Sequence, residues 1–226
     1  MGKWWRFFKK LFIWLFVLQF AYILFCKWIN PPITVTQLVS VITGHGLSRD
    51  YVSIHDMNSS IKLAVIASED QLFPDHNGFD IRAIKKAQKY NKRHPNRVRG
   101  ASTISQQVAK NVFLWQGRSY FRKGLEVYFT FMIELLWSKE RILEVYLNVA
   151  EMGDGVFGVE AAANNYFNKS AAKLSWAEAA QIAASLPNPK VYTIKPQSRF
   201  VARRQGAIMR QMNNLESDPD IQELIR

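Results

Sequence analysis

SSIKLAVIASEDQLFPDHNGFD (Ser59–Asp80) is the stretch on which the fold turns. Ser59 or Ser60 opens a helix carrying Ile61, Leu63, Ala64, Val65 and Ile66, and a helix apolar on nearly every side belongs inside a protein, packed by other elements. Glu69 and Asp70 fall at its C-terminal end, where the helix dipole disfavours a carboxylate unless a cation compensates. Asn77-Gly78 then marks a turn. Such a pair suits either a solvated acidic helix end or a general base at the edge of a cleft.

Working outward from it, residues 81–90 are amphipathic and run into Lys85, Lys86, Lys89, Lys92, Arg93, Arg97 and Arg99. These cations form either a solvated face or a contact for anionic lipid headgroups. In GASTISQQVAKN (Gly100–Asn111), Ser102 or Thr103 caps a helix, and a helix start with free hydroxyls is an anion site. Gln106, Gln107 and Lys110 fall within one turn of one another, offering amides to sugar hydroxyls and an ammonium to a phosphate. RKGLE (Arg122–Glu126), with Arg118 upstream, is a second cationic group; Arg122, Lys123 and Glu126 have the spacing of ordinary helical ion pairs. Residues 113–137 are rich in aromatics, yet too short and, with Glu126 and Glu134, too polar to span a bilayer; they are core or dip into the outer leaflet. Further on, residues 140–147 form an amphipathic helix, and residues 176–186 a buried alanine-rich one stopped by Pro187 and Pro189. Arg203 and Arg204 open onto a last helix, either solvated or touching substrate. Strand signals are scarce, so the fold class is mainly α.

The N-terminus is of a different kind. From Leu11 to Cys26 only Gln19 is polar, and Trp28 and Ile29 extend the run to a length of ~20 residues, enough for a bilayer crossing. Lys3, Arg6, Lys9 and Lys10 precede it, so the positive-inside rule makes the N-terminus cytoplasmic and the remainder extracytoplasmic. No small-residue cleavage site follows, which favours a retained single-pass anchor over a signal peptide, with Asn30-Pro31-Pro32 ending the helix. The chain thus divides into residues 1–10 (basic, cytoplasmic), 11–29 (anchor), 30–60 (a connector without an assigned role) and 61–226 (one domain). Lys and Arg number 30 against 18 Asp and Glu in 226 residues, a net charge of +12 that implies an anionic partner. With an anchor and no recognisable nucleic-acid module, that partner is phospholipid or a phosphorylated substrate and not nucleic acid. Cys26 is the single cysteine, which excludes a disulfide framework and a cysteine-based metal centre.

EDQLFPDHNGFD, GASTISQQ, RKGLE and KERILEVYLN (Lys139–Asn148) resemble, in that order, four motifs of the peptidoglycan glycosyltransferases, which polymerise the lipid-linked disaccharide precursor of bacterial cell wall. GVEAAANNYFNK (Gly158–Lys169) and LSWAEAAQIAASLPNPKVY (Leu174–Tyr192) continue the likeness, which covers about residues 61–212. One anchor and one domain are similar to the monofunctional members and unlike the two-domain penicillin-binding proteins. S-x-x-K strings at Ser59–Lys62 and Ser170–Lys173 read as helix starts, since no K-T-G follows.

The resemblance implies a lysozyme-like, two-lobed helical domain at the bacterial inner membrane, with its catalytic part periplasmic. It implies Glu69 as the base that deprotonates the acceptor hydroxyl, and Glu126 as a second catalytic glutamate beside the donor phosphates. Asp70, Ser102, Gln106, Gln107, Lys110, Asn111, Arg118, Arg122 and Lys123 would bind substrate. No metal-ligand set and no required cofactor are expected, with room for a divalent cation at the pyrophosphate. Partners are the lipid-linked precursor, the growing glycan chain, membrane phospholipid and cell-wall synthesis or division proteins. Gln71, Leu72, Ala101 and Ser105 depart from the commonest forms of the motifs without removing a charge. A pyrophosphate leaves as a stable anion, so one base and a cation clamp suffice, whereas a hydrolase also needs an acid for its leaving group. The rival readings are a lysozyme-like lytic glycosidase, with less use for the cations, and a membrane-tethered adaptor, with none for the paired glutamates.

Overall fold

Most helix starts in this chain are written locally, by a Ser, Thr, Asn or Asp whose side chain accepts a first-turn N–H. A computed structural model describes residues 2–96, 98–117 and 119–226. It begins with α1 (Lys3–Trp28), long and apolar enough to cross a membrane. After Pro31 and Pro32 come α2 (Val35–Ile42), β1 (Ser48–Arg49), a 3-10 turn at Ile54–Asp56, and α3 (Ser59–Glu69). Then follow α4 (Ile81–Arg93), α5 (Ile104–Phe113), α6 (Tyr120–Leu136) and α7 (Lys139–Val149). The short strands β2 (Glu151–Gly153) and β3 (Val156–Phe157) precede α8 (Val159–Phe167), α9 (Trp176–Ser185), α10 (Arg199–Leu215) and α11 (Pro219–Ile225). Asn58, Thr103, Ser119, Ser138, Ser175 and Ser198 cap α3, α5, α6, α7, α9 and α10, each contributing about 1 kcal/mol.

α3, α9 and α10 pack on one another with α11 against α3, while α5 packs on α6 and α7 with α2 alongside. These are the two helical lobes expected of a mainly α domain. At the centre of the first, every residue of α3 from Ile61 to Ala67 is buried, and each Ile or Leu there contributes about 1.5–3 kcal/mol. Even Lys62 is buried; its Nζ donates to the Ile54 carbonyl at 3.2 Å, and desolvation pushes its pKa down. Both S-x-x-K strings lie at helix starts, in α3 and in the 3-10 turn Ala171–Lys173.

Much of the 30–60 segment, expected to be a connector, packs into this domain. β1 pairs in parallel with β3, Ser48 opposite Val156, and β2 runs antiparallel on the other side of β3. Asn148 of α7 stitches the segment down, its amide donating to the Val52 carbonyl at 2.9 Å and accepting the Val52 N–H at 3.0 Å. α1 is likewise fastened at its C-terminal end. Ile23 and Cys26 are buried, Trp137 Nε1 donates to the Ile23 carbonyl at 3.0 Å, and Arg141 donates to the Cys26 carbonyl through Nη2 at 2.9 Å.

The turn between α3 and α4 depends on Gly78. Its φ is +82°, and a Cβ there would stand 2.7 Å from Thr130 Cγ2 and 2.9 Å from Glu134 Cγ. Gly78→Ala is expected to cost about 1–3 kcal/mol, seen as a fall in Tm of roughly 2–12 °C. A Tm equal to that of the wild type would mean the turn does not need glycine.

Candidate active site

α3 stops at Glu69 because Asp70 leaves helical geometry, and the Asp70 carboxylate turns inward to serve another helix. Its Oδ2 accepts the Ile104 N–H at 3.0 Å, at the start of α5, and its Oδ1 meets His76 Nε2 at 2.9 Å. Unpaired N–H groups and the positive end of the dipole make that helix start the natural place for a carboxylate. Asp70, expected among the substrate-binding residues, is 7 % exposed and braces the loop against α5.

The neighbouring Glu69 faces the cleft. Its Oε2 accepts from Gln107 Nε2 at 3.0 Å; its Oε1 accepts from Ser68 Oγ at 3.1 Å and lies 3.5 Å from Arg204 Nη2. This arginine is the compensating cation that a carboxylate at a helix C-terminus requires. Gln107 cannot flip its amide without loss, because its Oε1 accepts from Tyr146 Oη at 3.4 Å. Burial first, then the charges of Glu69 and Asp70, push the Tyr146 pKa well up, so the phenol stays a donor. Glu69, Ser102, Thr103, Gln107, Pro187 and Arg204 line a cleft of about 580 Å³. Gln107 and Pro187 are also walls of an adjoining chamber of about 420 Å³, where Lys110, Asn111, Glu151 and Lys190 are found.

α5 sorts its polar residues by helical geometry. Thr103 is the N-cap and forms a capping box with Gln106, whose Oε1 accepts the Thr103 N–H at 3.1 Å. Gln106, expected at the donor site, is 3 % exposed and spends its amide oxygen in starting the helix. Gln107, one residue and about 100° on, faces the cleft. Ser102 stays exposed at the cleft rim, and Lys110 and Asn111 follow one turn further along.

α6 brings the second carboxylate. Glu126 is 3 % exposed, its Oε2 accepting from Arg122 Nη1 at 2.8 Å and its Oε1 from Lys123 Nζ at 2.5 Å. A carboxylate so buried is tolerable only when paired, and its effect is to hold two cations side by side. Lys110 stands in the field of the whole group. Burial pushes its pKa down, Glu126 opposes this, Arg122 and Lys123 add to it, and Glu69 again opposes it. The charge of Lys110 is therefore coupled to that of both glutamates. Arg118 lies outside the described residues. Among the described residues no three His, Cys, Asp or Glu side chains gather as metal ligands; the positive charge comes from Lys110, Arg122, Lys123 and Arg204.

The arrangement offers a held carboxylate able to take a proton, beside cations able to receive an anion. Sequence reasoning placed Tyr146 only within the amphipathic helix of residues 140–147 and left Arg204 open. Neither carries a local signal, since each meets its partner only through the fold.

Known proteins point the same way. A family model described as Transglycosylase matches residues 36–213. A biosynthetic peptidoglycan transglycosylase of Shigella boydii serotype 4 (strain Sb227) is 57% identical over 174 residues, 77% of this chain and 72% of the relative. Proteins of the same name from Escherichia coli (strain K12 / DH10B) and Escherichia coli O9:H4 (strain HS) are similar to the same extent, 57% over 174 residues.

Proposed function

Since this chain belongs to the transglycosylase family and polymerises peptidoglycan glycan chains on a lysozyme-like domain, we propose that its cleft transfers a growing chain from a polyprenyl pyrophosphate to the sugar hydroxyl of a lipid-linked disaccharide, with inversion. Glu69 takes the proton of the acceptor hydroxyl as its oxygen attacks the anomeric carbon from the face opposite the pyrophosphate. The bond from that carbon to the pyrophosphate breaks, and the leaving group departs with the electron pair. Lys110, Arg122 and Lys123, joined from the sequence by Arg118, neutralise that charge, so no acid is needed. Glu126 keeps the clamp cations in place. Ser102, Gln107 and Asn111 meet the sugars. No organic cofactor enters this scheme.

The observation that carries the reading is the adjoining pair of cavities, Glu69 held by Gln107 in one and Lys110 in the other with Gln107 a wall of both, the charge of Lys110 being coupled to Glu69 and to the Glu126 cluster. A hydrolase has less use for that charge, and an adaptor less for the restrained carboxylate. The test supplies lipid-linked precursor to the purified full chain. Longer glycan chains are expected; soluble muropeptides released from finished wall would support the lytic reading, and neither product the adaptor.

The membrane side of the proposal rests on α1 and α6. α6 turns Arg122, Glu126, Thr130 and Ile133 inward, and leaves Phe121, Val127, Phe131 and Leu135 exposed. Large apolar side chains held out on one helix face suit the outer leaflet of a bilayer. With the basic N-terminus cytoplasmic, the domain stands on the periplasmic face of the inner membrane. Cell-wall synthesis or division proteins would reach it there.

Lys110 also sets a pH dependence. Its ammonium is charged below its lowered pKa and neutral above it, so kcat/KM for donor falls as pH rises through that value, earlier than an exposed lysine would dictate. Lys110→Arg, charged at all these pH values, is expected to move the alkaline limb upward. A limb that stays where it was belongs to another group.

A further inference from the structure

Glu69 is restrained through both oxygens, and Gln107 supplies one of the two restraints. Arg204 of α10 supplies the other. Its Nη2 donates to Ser68 Oγ at 3.1 Å and to the Ser68 carbonyl at 3.4 Å, and lies 3.5 Å from Glu69 Oε1. Its Nε is buried with no partner among the described residues. The guanidinium also stands between two cavities, the catalytic cleft and a smaller one of about 250 Å³ bordered by Ala207, Arg210 and Gln211.

Ser68 and Glu69 are the last two residues of α3. Carbonyls at a helix end lack intrahelical partners and carry the negative pole of the dipole, so a carboxylate added there is pushed away from the helix. A cation brought in by another helix answers the carbonyl and the carboxylate together, and a planar guanidinium does so with its direction fixed. Gln107, carried by α5, cannot supply this, because an amide has no charge.

We propose that Arg204 is a positioning residue for chain transfer, holding the Glu69 carboxylate by Oε1 so that its remaining lone pairs face the incoming acceptor hydroxyl. Truncation opens the wall that Arg204 shares with Ala67 and Ser68 between the cavities and lets Glu69 turn away from the cleft. The proposal rests on Glu69 being the base.

The test measures kcat and KM for polymerisation of lipid-linked precursor by the full chain. Arg204→Ala is expected to lower kcat about 30- to 100-fold with KM for precursor changed less than about twofold, the size of effect that a displaced catalytic group produces. Arg204→Lys recovers part of the loss, and added ethylguanidinium raises turnover of the alanine variant. Arg203→Ala, the same loss of charge at an exposed neighbour, leaves turnover unchanged. In a Glu69→Gln background, Arg204→Ala costs no further factor. Full turnover by Arg204→Ala, or an undiminished loss in the Glu69→Gln background, overturns the proposal while leaving the base intact. Normal polymerisation by Glu69→Gln alone overturns both. Should the alanine variant fail to fold, Arg204→Lys decides: full KM with reduced kcat supports the assignment, and unchanged kcat or a raised KM refutes it.

Discussion

Glu69→Gln is expected to lower polymerisation about 10²- to 10⁴-fold while leaving precursor binding and thermal unfolding unchanged. The amide has the same shape as the carboxylate and keeps an oxygen that can accept one of the surrounding donors. Gln107 is oriented by Tyr146 and not by Glu69 alone, so the wall of the cleft survives the change. What is lost is the capacity to take a proton. Retained binding together with lost turnover identifies a group that works in the transition state and not in recognition. Measured rates of chain elongation and a parallel precursor-binding titration separate the two, and a variant that polymerises at the wild-type rate removes Glu69 from the mechanism.

Lys110→Ala should be the second large effect, a fall in kcat of about 10²- to 10³-fold. Charge builds on the pyrophosphate only as its bond to the sugar breaks, so a preformed cation acts mainly on turnover. Stability should move the other way. The ammonium is held against its own desolvation, and taking it away relieves that cost while leaving Glu126 paired with Arg122 and Lys123. A Tm at or above that of the wild type, combined with lost turnover, therefore separates a functional lysine from a structural one. Lys110→Met, closer in volume, excludes a cavity as the cause. Normal turnover in both variants would dismantle the clamp.

Local signals were the legible ones. The buried α3, the capped start of α5 and the proline stop after α9 could be read because caps, periodicity and prolines act within a few residues. The role of residues 33–60 could not, since β1 is two residues long and its partner β3 lies more than a hundred positions away. Gln106 and Gln107 look alike in sequence, yet Thr103 three residues before Gln106 is the capping-box spacing, and that signal distinguishes them. Arg203 and Arg204 have no such clue. Only the packing of α10 on α3 decides which arginine meets Glu69 and which meets water. For Asp70, expected to bind substrate, the sequence could not show its bracing role: its partners on Ile104 and His76 appear only once the chain has folded.

The fastening of α1 by Trp137 and Arg141, with Gln19 Nε2 also donating to Tyr128 Oη at 2.8 Å, makes the leading helix a mast and not a leash. With α1 in the bilayer as proposed, a domain bolted to its mast would keep one height and one heading above the lipid, and every precursor arriving sideways through the leaflet would meet the groove at the same angle. Product would then leave along a single bearing, and loosening the bolts would blur that bearing before it touched the chemistry.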